Sequence, residues 1–210
     1  MIDLEIQFDK DKYKDMIARA VLFNKDIDKA VNRAARRAGD AGKAETKRQL
    51  AAEYTLPSSE IGKTIEVKPL SEGVKMRIFS SVHELILFNT KPKTPMPPAK
   101  GPVRVQVKKG DGSSELGHAF VAKMPNGHIG IFEREGQKRK NKDTHGREIA
   151  GSKVHDHIQE LFGPSTVGMF EANETVHNAV IEKIMETLDK RMIHELDFIL
   201  NDKSSRANLK

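Results

Sequence analysis

The sequence predicts an α+β fold: an antiparallel sheet with long N-terminal and C-terminal helices packed on one face. Three observations point to it. A strand-like alternation opens the chain and is followed by an Ala-rich helical repeat. Short alternating apolar runs separated by turn residues fill the middle. A four-residue apolar repeat closes it. The resulting order (strand, helix, several antiparallel strands, helix) segregates the helices to one side of the sheet.

Leu4, Ile6 and Phe8 alternate with Glu5 and Gln7, which is strand periodicity. A short helix is predicted from Tyr13 to Phe23, with Met16, Ile17, Ala20 and Val21 on one face. A stronger helix runs from Asp26 to Tyr54, where Ile27, Val31, Ala34, Ala38 and Ala41 recur at spacings of four and three. Alanine has the highest helix propensity, and its small side chain permits close packing. Gly39 and Gly42 either weaken this helix or mark a close approach. Pro57 stops it, because the residue before proline is pushed out of helical geometry. Leu56 to Glu60 reads as a loop with a capping signal, followed by a short turn at Ile61.

Thr64–Val67 and Val74–Phe79 form a hairpin across Ser71-Glu72-Gly73. Leu85–Phe88 is wholly apolar and fits a buried strand or one helical turn equally. Lys91–Pro98 carries four prolines and is expected to be an extended surface connector. Val103, Val105 and Val107 alternate as a strand, and Lys109–Ser114 is a turn-rich loop. Residues 118–124 and 129–132 pair across Pro125-Asn126-Gly127-His128. Residues 135–157 are charged and almost without apolar side chains, which predicts a flexible basic surface loop. A long helix is expected from Asn173 to Leu200. Val176, Val180, Ile184, Leu188, Met192 and Leu196 form its stripe, which Ala179, Ile181, Met185, Ile193 and Ile199 widen. Residues 1–200 are expected to form one domain, with 201–210 a frayed tail.

Composition narrows the functional classes. The chain has 210 residues, 37% hydrophobic and 5% aromatic, with no Trp. That is thin for one large core and suits long helices or a subunit interface. Lys and Arg number 36 against 30 Asp and Glu, for a net charge of +6. Such a balance fits nucleic-acid or acidic-protein partners, or simply a solvated surface. Without cysteine there are no disulfides, cysteine nucleophiles or Cys-ligated metals. No apolar run approaches the roughly 18 residues of a membrane span, and the N-terminus lacks a signal-peptide core. Cytoplasmic synthesis and no membrane partner are the expectation.

The search for chemistry returns little. Gly110 and Gly112 lack the Gly-Lys-Ser/Thr of a phosphate-binding loop, and no Gly-x-Ser-x-Gly elbow occurs. His145, His155 and His157, with Asp156, could in principle ligate a metal. They lack the His-Glu-x-x-His spacing and read as solvent-facing. His118 and His128 read as surface or hydrogen-bonded sheet histidines. No catalytic, cofactor-binding or metal-binding residue is assigned. Basic residues fall in two groups, Arg33, Arg36 and Arg37 on the long helix and Lys138, Arg139 and Lys140 in the charged loop. These are the candidates to face DNA through phosphate contacts.

Three runs carry a resemblance. They are His118-Ala-Phe-Val-Ala-Lys-Met124, Gly127-His-Ile-Gly-Ile-Phe-Glu-Arg134 and Ile158-Gln-Glu-Leu-Phe-Gly-Pro-Ser165, preceded by Ala30-Val-Asn-Arg-Ala-Ala-Arg-Arg37. In this order they resemble the prophage minor tail protein Z family of tailed bacteriophages, over roughly residues 27–200. The linker before Ile158 is longer than in that family, and His155-Asp156-His157 stands where an Arg-x-Pro is usual.

The resemblance implies a non-enzymatic virion protein of the tail or neck, a minor tail component in tail completion and head–tail joining. It implies a ring homo-oligomer, expected to be hexameric when assembled. Tail-tube or tail-terminator proteins, head connector proteins and DNA in the tail channel are the expected partners. Phe120, Phe132, Arg134, Leu161 and Phe162 are the candidate oligomer or partner contacts. The alternatives are a basic DNA-binding protein and a histidine-metal nuclease.

Overall fold

In the computed structural model the N-terminal alternation forms β1 (Ile2–Gln7). The structure describes residues 1–22, 27–70, 73–79, 81–88, 102–140, 144–145, 147 and 154–207. The chain divides into two compact units. The first comprises Met1–Ala52, Pro57–Ser81 and Ser165–Lys210, and the second Glu53–Leu56 and Val82–Pro164. One domain over 1–200 was the expectation from length and composition; most of the second unit, Val82–Pro164, is inserted between the first unit's hairpin and its C-terminal helices, and Glu53–Leu56 joins it from before the hairpin.

In the first unit, β1 leads through a 3-10 turn (Asp11–Tyr13) into α1 (Lys14–Leu22). Then come α2 (Ile27–Glu53), α3 (Ser58–Lys63), β2 (Ile65–Leu70) and β3 (Gly73–Ile78). It closes with α4 (Thr166–Glu171) and α5 (Glu174–Ala207). The sheet order is β1-β3-β2, all antiparallel. Two side-chain rows follow from strand alternation. Val74, Met76 and Ile78 of β3 are buried. They lie opposite Ile6, Leu4 and Ile2 of β1 and Pro69, Val67 and Ile65 of β2.

The other face carries charge. Asp3 is opposite Arg77, and Glu5 is opposite Lys75. Arg77 Nε donates to Asp3 Oδ1 at 2.8 Å, and Lys75 Nζ donates to Glu5 Oε1 at 2.6 Å. Lys75 also lies 3.0 Å from Asp3. Cross-strand pairs of opposite charge favour this register. The hydrogen bonds from Arg77 and then Lys75 hold the Asp3 carboxyl down at about 2.

α2 packs on the apolar face through its smallest side chains. Ala30, Ala34, Ala35, Ala38, Gly39 and Gly42 are buried. A Cβ on Gly39 would lie 2.1 Å from a Val67 methyl and 2.8 Å from one of Val74. A Cβ on Gly42 would lie 2.4 Å from Ile184 of α5. The two glycines therefore mark a close approach rather than a weak helix. Lys43 Nζ donates to the Ile65 carbonyl at 2.7 Å, adding a polar tie between α2 and β2. On α5, Val176, Val180, Ile184, Leu188, Met192 and Leu196 are all buried, as the four-residue repeat predicts. Met185 and Ile193 are exposed, so the stripe is narrower than the sequence suggests. Tyr13 is buried, and its hydroxyl donates to Asp189 Oδ1 of α5 at 2.5 Å. Burial first, and that bond second, push the phenol above its ordinary value.

The second unit contains a 3-10 turn at Leu85–Phe88, β4 (Val103–Val105), β5 (Ser114–Leu116), β6 (Ala119–Lys123), β7 (Ile129–Lys140) and β8 (Val154–Glu160). β4 pairs with β5, and a separate antiparallel sheet has the order β6-β7-β8. The predicted loop over 135–157 is corrected at both ends. β7 continues to Lys140 and β8 begins at Val154, with a register irregularity between Arg134 and Lys138. β6 pairs only with residues 129–133 of β7. Beyond it the β7–β8 pair continues as a two-stranded ribbon, whose backbone bonds need no apolar alternation. The tail prediction is also corrected, since α5 runs through Ala207. The proline-rich stretch 91–98 and the Ser71-Glu72 turn fall outside the described residues.

Two outcomes test this packing. Gly39→Ala gains helix propensity of about 1 kcal/mol but overpacks the contact with Val67. A net loss of about 1–3 kcal/mol in denaturant unfolding is expected; a more stable variant would contradict the close approach. Asp3 titrates lower in the folded chain than its ordinary 3.8, so its contribution is present above that value and disappears as pH falls toward about 2. Asp3→Asn should therefore unfold more easily at neutral pH, with the gap from the parent closing across that acid window.

Candidate functional site

The β6–β7 turn positions the first member of a polar cluster in the second unit. Gly127 has φ +89°, a left-handed conformation suited to glycine. Gly127 N donates to the Met124 carbonyl at 2.9 Å, and Met124 N donates to the His128 carbonyl at 2.7 Å. His128 N donates to Asn126 Oδ1 at 3.0 Å, an Asx turn. The backbone of His128 is thus fixed from both sides.

Positions 128, 130 and 132 fall on one face by strand alternation, with the His128 and Phe132 side chains on either side of Gly130. Phe132 is in register with Glu160 of β8. A Cβ at Gly130 would lie 2.4 Å from Glu160 Oε1. With no side chain there, the Glu160 carboxylate reaches across to His128 Nε2 at 2.7 Å. The third member is Glu84, whose Oε1 lies 3.9 Å from His128 Nδ1. An antiparallel bridge between Glu84 and Phe162 places it there, and Leu85 N donates to the Leu161 carbonyl at 3.1 Å. The His128 ring also stands edge-on to Phe132, with centroids 6.4 Å apart.

An imidazole flanked by two carboxylates favours its protonated form. The hydrogen bond that His128 donates to Glu160, outweighing the opposing effect of burial, holds the His128 pKa above its ordinary 6.5, with the charges of Glu160 and Glu84 adding to it. Glu84, His128 and Glu160 each offer one donor atom within 4.8 Å of the others, the one group of this kind among the described residues.

Of the histidines in the charged stretch, His145 is exposed and His157 is half-exposed. His157 Nδ1 lies 2.6 Å from Glu135 Oε2 but is not aligned as a hydrogen bond. The side chains of His155 and Asp156 lie outside the described residues. The candidate contacts scatter by role. Phe120 and Phe132 are buried in their own sheet, 6.3 Å apart. Arg134 is exposed and holds its guanidinium 5.3 Å from the Phe120 ring centroid, a cation–π contact. Leu161 is half-buried and its N donates to the Ile131 carbonyl. Phe162 is 52% exposed. Arg33, Arg36 and Arg37 are exposed on α2, with Arg33 Nη1 3.5 Å from Glu195. Lys138, Arg139 and Lys140 lie on β7, their side chains outside the described residues.

Sequence reasoning missed Glu84 and Glu160 as partners of His128. A signal was present in His128-Ile-Gly130-Ile-Phe132, where a glycine interrupts one face of a strand. Nothing in the sequence marks which acid fills the gap. No family model, curated protein or solved structure matches the chain.

Proton NMR of the His128 ring, in buffer freed of divalent ions, should show titration above 6.5. Glu160→Gln should bring it down, and so should Gly130→Ala by displacing the carboxylate. A parent ring that titrates at or below the ordinary value would disprove the ion pair.

Proposed function

We propose that this chain is a structural virion protein of a tailed phage or prophage, a non-enzymatic minor tail component acting in tail completion and head–tail joining through ring assembly. The observation that carries the reading is the fate of the three motif runs on which the resemblance rests. Five residues of the second and third runs have architectural roles. His128 and Glu160 bridge β7 to β8, and Gly130 makes room between them. Gly163 packs against the Phe88 ring, which a Cβ would meet at 2.4 Å. Ser165 Oγ accepts from Gly168 N and caps α4. Runs of this kind specify a scaffold, as expected of a protein that acts by assembling.

Exposed apolar side chains support the same reading. Phe162 in the second unit, and Met185, Ile193 and Phe198 on α5, remain 44–56% exposed. Such residues suit subunit or partner contacts in an assembly. Tail-tube, tail-terminator and head connector proteins are the partners this reading names, with the virion as location. No described helix is long and apolar enough to cross a membrane.

The second reading, DNA binding, rests on Arg33, Arg36 and Arg37, which share the exposed side of α2. Asp40 lies one turn further on that side, and Glu195 already pairs with Arg33. This weakens the phosphate-binding face.

A phage carrying a nonsense mutation in this reading frame should accumulate separate filled heads and tails in electron micrographs. Complementation by the parent chain should restore joined particles, and Phe162→Asp with Phe198→Asp should not. Joined, infectious particles from the nonsense mutant would refute the assembly role. Duplex-DNA affinity that falls steeply with salt and is lost in Arg36→Ala/Arg37→Ala would favour the second reading.

A further inference from the structure

We propose that Glu84, His128 and Glu160 form a binding site for one divalent transition-metal ion, with zinc the best chemical match. The site lies wholly within the second unit and does not depend on the assembly role.

The donor set comes first. It offers one imidazole nitrogen and two carboxylate oxygens, all mutually within 4.8 Å. Zinc takes such mixed nitrogen and oxygen ligands at about 2.0–2.2 Å, which places donors roughly 3.3–3.5 Å apart. Calcium and magnesium favour larger, all-oxygen shells, which three ligands with one imidazole do not provide. At present His128 Nε2 lies 2.7 Å from Glu160 and Nδ1 lies 3.9 Å from Glu84. An imidazole gives an ion one nitrogen, whereas this ring faces the two carboxylates through different nitrogens. One ligand atom from each residue already lies within 4.8 Å of the others, so side-chain rotation is what closes the set around one ion.

Backbone preorganisation comes second. Hydrogen bonds fix the main chain at or beside all three ligands. His128 is held by the Met124–His128 turn, Glu84 by its bridge to Phe162, and Glu160 by the adjacent Leu161 N–Ile131 carbonyl bond. Gly130 keeps the space between His128 and Glu160 free of a side chain. The adjustment needed is therefore confined to side chains, the condition for a site rather than a chance cluster.

Access and charge come third. The side chains of Glu84, His128 and Glu160 are 43%, 30% and 21% exposed. An ion can reach them from solvent and keep one position for water. With neutral imidazole the cluster carries two negative charges, which a divalent ion neutralises. Bound there, the ion would join the Leu85–Phe88 turn, the start of β7 and the end of β8.

The experiment is a titration of the chelator-stripped full chain with Zn²⁺, and separately Mg²⁺, by calorimetry, with Co²⁺ absorption in the visible as a coordination readout. One Zn²⁺ per chain, a Co²⁺ d–d band and much weaker Mg²⁺ binding are expected. His128→Ala and Glu84→Gln should each weaken Zn²⁺ by at least about tenfold, while His157→Ala should leave it unchanged. Should a variant misfold, paramagnetic broadening by Co²⁺ on the parent chain decides, since His128 resonances must broaden before those of His157. No saturable Zn²⁺ binding, or binding that survives His128→Ala in a folded variant, or first broadening at His157, overturns the site and leaves an imidazolium–carboxylate pair.

Discussion

The close seating of α2 on β2 and β3 is the constraint on which the first unit depends. Two missing side chains, at Gly39 and Gly42, bring the helix backbone within reach of Val67, Val74 and Ile184. The flanking alanines hold the same short distance along the helix. Glycine costs helix stability, and here the loss is offset by dispersion contacts that a larger residue would prevent. α5 then presents a single narrow apolar row, because the space it enters is already tightly bounded. The charged outer face of the sheet follows from the same register, since alternation that buries Met76 must expose Lys75 and Arg77.

Much of this was legible in the sequence, for a physical reason in each case. Elements that bury one face carry a period, and β1, α2, β3 and α5 announced themselves through it. Elements without that requirement did not. The distal β7–β8 pair is held by backbone hydrogen bonds between charged residues, so its composition reads as loop. β5 is three residues long with no buried side chain, and α4 is a six-residue helix behind a Gly-Pro that reads as a stop. The His128 cluster was legible only as the glycine gap at Gly130, for a different reason. It depends on a pairing register and a bridge that join segments far apart in the chain, and single-sequence spacing holds no record of them.

The second unit shows how one polar contact and one vacancy cooperate. Gly130 lacks a side chain, Glu160 occupies the space, and His128 receives it. Phe120, Phe132 and Ile131 meanwhile fill the core. Arg134 lies over Phe120, so the aromatic that sequence suggested as a partner contact is enclosed by its own unit and capped by a cation. Exposed apolar side chains lie instead at Phe162 and Val82 in this unit and, in the first unit, along α5 and at Val21 and Leu22 of α1.

The ribbon formed by β7 and β8 past the end of β6 has a consequence for how such a chain can vary. Lengthening it by one residue in each strand would invert every side chain beyond the change, whereas two in each would restore the original facing. Growth by paired steps would leave the three-stranded part below untouched. The length of the ribbon can thus change by paired steps, like a ratchet, without redesign of the sheet at its base.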